Sequence, residues 1–303
     1  MLFERKVSAG VRGIAAMLSA VFMFSIMDAS MKRLSQTYGG FELSCLRCVS
    51  SIAFLIVPIA WTGSWQSLRP ANLPLHVVRG VLGIVMLGTF VYAVRRLSMA
   101  ETYSLFLCAP LLMTALSVPI LGERVPLRRW LTIAVGLGGV LVMLRPTTTG
   151  FASLAAAAAA AAACSYALSA VLVRILGRTN SSAAMVVWFL LLVGVGSGLL
   201  AAPEWRRVAT EDWPWLGAIG FSGALGQYWV TEAFRRAPPA VVAPFEYSAI
   251  LWAFGIDWVF WSVLPSAVVV TGATIVIGCG LFIIWDERRI ATLAQTAAAS
   301  PPP

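Results

Sequence analysis

The sequence predicts an all-α integral membrane protein of ten transmembrane helices, built as two inverted five-helix repeats. Three observations predict it: a composition too poor in charge for water, ten apolar runs of spanning length, and a motif recurring at a fixed offset. Of 303 residues, 59% are hydrophobic and 12% charged, against roughly 25% charged in soluble domains. Something other than water must solvate most of the surface. A spanning helix takes about 20 apolar residues, and lipid offers nothing to unpaired backbone groups, so isolated strands are excluded. The runs are also longer than the strands of an outer-membrane barrel.

The first run, 13–31, follows Arg5, Lys6 and Arg12. It continues to Asp28, lacks a small-residue cleavage pattern and precedes many similar runs, so it reads as a retained helix and not a secretory signal. Runs 41–61, 76–95, 99–121 and 128–144 complete the first half. Runs 151–174, 183–202, 214–235, 239–261 and 266–285 form the second. They end at charges, prolines and glycines, among them Arg69-Pro70, Arg145-Pro146, Pro203-Glu204 and Pro238-Pro239. The repeats are expected at 1–146 and 147–289, with a disordered tail over 290–303. Nine consecutive alanines, 155–163, and the glycines of the seventh and eighth runs give smooth faces that let helices approach closely.

The formal net charge of +9 would suggest nucleic acid in a soluble protein. Here the basic residues sit in clusters between apolar runs, where they set orientation, and no nucleic-acid partner is expected. With the N-terminus inside, fourteen Lys and Arg fall on the cytoplasmic side and seven on the other, Arg47 being set aside as intramembrane. Both termini are therefore expected in the cytoplasm, in an inner membrane. The five cysteines all lie in apolar runs. Cys45 and Cys48 have redox spacing, but no second pair answers them, so they read as buried filler.

Arg95-Arg96 followed by Ala100 recurs as Arg235-Arg236 followed by Ala240, 140 residues later. Each copy leads from one apolar run into the next, third to fourth and eighth to ninth. Gly136 to Val140 finds an echo in Gly272 to Gly280. Halves of five helices enter the membrane from opposite sides, so the repeat is inverted, the arrangement of alternating-access transporters with a midplane site between halves.

The chain resembles the EamA-type, ten-helix members of the drug/metabolite transporter superfamily. Leu121-Gly122-Glu123-Arg124 and Gly136 to Val140 carry the resemblance in the first half, Pro244-Phe245-Glu246-Tyr247 to Trp252 and Gly278-Cys279-Gly280 in the second. Ser262-Val263 stands where the family usually repeats Gly-Glu. The resemblance implies a central cavity lined by both halves and a small organic solute.

Ionisable residues within spanning helices are costly and default to function. Glu246, just after Pro244 in the ninth run, is the deepest, and Pro244 is expected to kink that helix. Glu246 would bind a cationic group or exchange a proton, making protons the candidate coupling ion; a carboxylate bonded between helices is the structural alternative. Subtracting 140 from Glu246 gives Phe106, and Tyr103 and Phe106 lie along one face with Pro110. Tyr247, Trp252 and Gln227 complete the candidate binding set. Asp28, Arg47 and Glu101 are candidates for an outer gate or a structural clamp. Glu232 is expected to pair with Arg235 and Arg236, His76 to sit at the interface, and Arg79 to snorkel.

The expected function is secondary transport of an amine-bearing or zwitterionic, amino-acid-like metabolite, with a flat aromatic vitamin-like solute as alternative. An intramembrane enzyme is a further alternative, faintly suggested by Gly196-Ser197-Gly198, although the single histidine, His76, stands near the wrong end of its helix for a midplane dyad. No phosphate-binding Gly-x-x-x-x-Gly-Lys-Ser/Thr loop exists, so nucleotide-driven pumping is excluded. No cofactor or metal is expected, and monomer and homodimer both remain open.

Overall fold

A computed structural model describes residues 2–35, 37–94, 96, 105–106, 108–144, 154–249 and 251–252. It also describes 267, 270–272, 274–275, 277–283, 285–286 and 289. Helices among these residues are α1 (Leu2–Leu34), α2 (Gly40–Thr62), α3 (Leu73–Val94), α4 (Ala109–Leu121) and α5 (Leu127–Leu144). The second half contributes α6 (Leu154–Leu176), α7 (Ser182–Ala201), α8 (Trp213–Arg236) and the short α9 (Pro239–Val242), which runs into a 3-10 segment, Ala243–Ser248. The described residues between 267 and 289 are helical, within the tenth run.

These elements follow the apolar runs closely. The largest extension is at the start of α1, where the basic N-terminal residues prolong the helix back to Leu2. Gly63 and Gly122 cap α2 and α4 with φ of +63° and +68°. That left-handed conformation suits glycine and lets the cap N–H meet the last carbonyls. Ser181 caps α7 by accepting from the Ala184 amide at 3.0 Å.

Apolar residues face outward as well as inward. Leu127, Leu154, Leu199 and Leu281 are each more than half exposed, which water would not tolerate over so many helices. Exposed tryptophans gather at both ends of the bundle: Trp61 and Trp65 past the middle of the chain's first return, Trp205, Trp213 and Trp215 at the opposite end. Tryptophan at two levels is the signature of two membrane–water interfaces. Among the described residues, α1, α2, α3, α6 and α7 are long and apolar enough to span a membrane. The chain is a multi-pass helical membrane protein.

The closest packing joins parts distant in sequence: α1 along α8, α3 along α6, α2 along α7 and α8, and α3 along α7. Exchanging α1, α2 and α3 for α6, α7 and α8 returns the same set of pairs. Glycines make these approaches possible. A Cβ on Gly194 would stand 2.9 Å from Cys48 Cβ, and one on Gly226 would stand 2.7 Å from the Phe24 ring. On α6, Ala155, Ala159, Ala162, Ala163, Ala167 and Ala170 form a buried face, so the alanine run serves close packing. Cys45 and Cys48 are free thiols lying against Gly198 and Gly194. Gly139 of α5 meets Ile275 and the Gly272 carbonyl, bringing together the two glycine segments that echo each other in sequence.

Two clamps tie the loops at opposite ends. At the end bearing the N-terminus, Asn180 Oδ1 accepts from the Ala71 amide at 2.9 Å and lies 3.3 Å from His76 Nε2. Ser181 and the Trp188 indole donate to the carbonyls of Ser67 and Leu68 there. At the other end, the Tyr38 hydroxyl accepts from the Ala209 amide at 3.0 Å and donates to Asp212 at 2.7 Å. Glu42 accepts from the Arg206 amide, and Arg206 Nη1 donates to the Thr37 carbonyl.

His76 is buried in the first clamp, at the end of the bundle bearing the N-terminus. One sequence expectation is corrected. Arg79 does not snorkel: it is 3% exposed and turns inward onto α7, because the Met185 carbonyl and the Phe189 ring receive its guanidinium.

Candidate functional site

The site grows from two interrupted helices. Pro239 starts α9, and Pro244, which has no amide hydrogen, ends its α-helical turn after Val242. The backbone tightens into a 3-10 segment through Ser248 and is helical again at Leu251 and Trp252. The expected kink at Pro244 is thus a full change of helix type, a common mark of a functional hinge. The fourth run breaks at the matching place. Leu105 and Phe106 are helical, Cys108 turns back onto the Leu105 carbonyl at 3.2 Å, and α4 begins at Ala109-Pro110. The 3-10 segment and α4 pack together.

Glu246 projects from the 3-10 segment, and the Tyr166 hydroxyl of α6 donates to its Oε1 at 2.9 Å. The Tyr166 ring stacks on Phe106, centroids 5.6 Å apart at 24°, and Phe106 meets Phe90 edge-on at 5.3 Å. One carboxylate is therefore held against a column of three rings from α3, the fourth run and α6. A cation placed there would meet both the carboxylate and ring faces, while a flat ring could extend the stack.

The other candidates occupy distinct places. Tyr247 is buried on the same segment, its ring 3.3 Å from where a Gly136 side chain would begin, so that glycine makes its room. The Tyr247 hydroxyl is buried with no hydrogen bond among the described residues. Trp252 packs on Phe22 of α1, centroids 4.7 Å apart. Gln227 is buried on α8, and no hydrogen bond among the described residues links it to Glu246. Asp28 is accessible although it lies deep among the helices, and Arg47 of α2 supplies the positive field beside it. The Arg47 guanidinium sits 5.8 Å from the Phe24 centroid. Glu101 and Tyr103 lie outside the described residues.

Tyr166 is the residue that sequence reasoning missed. It is the only tyrosine between positions 104 and 227 and stands three residues after the alanine run, a signal visible in the sequence. Its partner, however, is 80 residues away.

At the end bearing the N-terminus, charges close the bundle. Glu232 pairs with Arg235 at 3.6 Å and with Arg236, as expected, and also accepts from the Ser182 hydroxyl. Arg174 donates to the Arg235 carbonyl at 2.7 Å and reaches Glu123 at 4.0 Å. Glu123 follows the Gly122 cap, and burial pushes its carboxyl above the usual range against the opposing pull of Ser117, Arg174 and Arg129. Asp286, fully buried, pairs with Arg128 at 3.0 Å and Arg129 at 3.4 Å. Ser197 is buried with no hydrogen bond among the described residues, and His76 is engaged with Asn180, so the two form no dyad.

An apolar helical bundle with a carboxylate beside a broken helix is an arrangement that membrane transporters of small solutes use. Residues 11–145 match the EamA-like transporter family. The pseudopaline exporter CntI of Pseudomonas aeruginosa is 28% identical over 267 residues, covering 88% of this chain and 93% of that protein. The riboflavin transporter of Vibrio cholerae is 25% identical over 286 residues, 92% of this chain and 95% of its own. An S-adenosylmethionine uptake transporter of Rickettsia prowazekii is 24% identical over 279 residues, 92% and 94% of the two chains. A solved crystal structure superposes with a TM-score of 0.79 at 20% identity, covering 92% of this chain and 98% of that one, which supports the fold. The first half of the chain thus matches the EamA-like transporter family, and the relatives named, similar over about nine-tenths of the chain, are small-molecule transporters.

Proposed function

We propose that this protein is a secondary transporter of an amine-bearing or zwitterionic, amino-acid-like metabolite, working by alternating access in the cytoplasmic membrane. The observation that carries the reading is the Glu246 carboxylate, held by Tyr166 on a 3-10 break and backed by the Phe106–Phe90 rings. A carboxylate in a spanning segment is costly and is kept where it meets a cation or a proton. Protons are the proposed coupling ion.

Ten helices in two inverted repeats, 1–146 and 147–289, form the proposed frame, with both termini cytoplasmic. Three observations support it. The packing pairs survive exchange of the halves, the two clamps use equivalent loops at opposite ends, and the fourth and ninth runs break at matching places. In such folds the site lies between the halves at discontinuous helices. Asp28 and Arg47 are proposed to close the outer side, with Glu101.

A flat aromatic, vitamin-like solute is the second reading, favoured by the three-ring column and by the similarity to a riboflavin transporter. The test is counterflow in proteoliposomes using metabolite pools, with Glu246→Gln in parallel. Loss of amine-dependent flux in that variant, with normal thermal stability, is the expected outcome. Wild-type flux in Glu246→Gln would remove the residue from the site.

A further inference from the structure

We propose that Arg79 binds an anionic group of the solute, so that the transported compound carries a carboxylate or a comparable anion as well as the cation met by Glu246. The proposal deepens the reading above and rests on it. Arg79 is on α3 and is 3% exposed. A guanidinium has five N–H donors and no acceptor. Nη1 donates to the Met185 carbonyl at 2.8 Å, and the group stands 4.5 Å over the Phe189 centroid. Nε is buried with no hydrogen bond among the described residues. No carboxylate among the described residues lies within ion-pair distance of Arg79. A carbonyl and a ring face compensate a buried cation poorly, and a bidentate anion would compensate it well.

Position ties this cation to the site. The Tyr166 hydroxyl that donates to Glu246 also lies within the electrostatic field of Arg79 and of Arg47. Arg47 likewise has a buried Nε with no hydrogen bond among the described residues, but Asp28 stands beside it. Glu246 thus supplies an anionic pole and Arg79 a cationic one with no matching carboxylate among the described residues. A solute with both charges fits the two poles in one orientation. A purely structural Arg79, bolting α3 to α7, would be indifferent to the charge of the solute, and that difference is measurable.

The test uses the full chain in proteoliposomes and matched probe pairs: phenylalanine with phenethylamine, tryptophan with tryptamine, and leucine with 3-methylbutylamine. The wild type should take up at least one α-amino acid at least about tenfold faster than its decarboxylated amine, the scale of a charge-assisted bidentate contact. Arg79→Gln should collapse that ratio to about one, and Arg79→Lys, which keeps the charge, should hold it above one. Equal uptake of both members of every pair by the wild type overturns the proposal without needing any variant. So does an Arg79→Gln protein that is folded yet keeps the ratio. Glu246→Gln separates the two claims: intact amine uptake in that variant removes the underlying reading, whereas lost amine uptake there beside an unchanged ratio in Arg79→Gln removes only the Arg79 proposal. Uptake of no probe above empty liposomes would sink both.

Discussion

The hydroxyl of Tyr166 is the smallest unit on which the site depends. Tyr166→Phe keeps the ring stacked on Phe106 and removes only the bond to Glu246. A hydrogen bond to a charged group contributes about 1.5–3 kcal/mol, so the KM of the transported solute should rise by about tenfold or more. The melting temperature should stay near wild type, and a variant with unchanged KM would mean that Glu246 needs no orienting partner. Glu246 was legible in the sequence because a carboxylate in an apolar run is conspicuous. Tyr166 was not, since a tyrosine among alanines announces nothing until the chain brings Glu246 to it. Arg79 was misread for a related reason. Its place near the start of an apolar run invites snorkelling, and only the Met185 carbonyl and Phe189 of another helix turn it inward.

At the scale of elements, glycine spacing sets how closely helices approach, and the positions are not equivalent. Gly194 faces Cys48 across the α2–α7 contact, whereas Gly138 on α5 has open space around its missing side chain. Gly194→Val should cost about 1–3 kcal/mol through overpacking, read as a lower unfolding temperature in detergent, while Gly138→Ala should be close to neutral. Equal effects would mean that the contact is looser than its geometry. The run boundaries were readable because lipid demands unbroken apolar length. The break at 243–248 was only half readable. Pro244 announces a disturbance, but whether a helix kinks or changes type depends on what packs against it, here α4 and the Gly136 face beneath Tyr247.

Across the whole molecule, both clamps are closed in one conformation. Each clamp is built from several hydrogen bonds between distant loops, and we expect the loops held by Asn180 and by Tyr38 to belong to the part that stays fixed. Joining residues 38 and 209 with a flexible bifunctional reagent, after replacing both by cysteine in a background lacking the five native thiols, should therefore leave transport running. Arrest of flux by that bridge would show that this end must part during the cycle. The proposed duplicated frame has its sequence sign in one 140-residue echo. Its interlocking has none, because helix partners across a membrane bundle leave almost no mark on local sequence.

That interlocking has a consequence for how the protein is made. The main partners of α1, α2 and α3 are α8, α7 and α6, so the helices synthesised first wait in the bilayer for those synthesised last. Until then Asp28, Arg47 and Arg79 have no neighbours from the second half to shield them, and the early chain is the stage most exposed to quality control. A gene cut between the codons for residues 146 and 147 should yield two fragments that are each degraded alone and are recovered together, as a functional pair, only when co-expressed. Accumulation of a stable first fragment by itself would show that the halves are separable bodies after all.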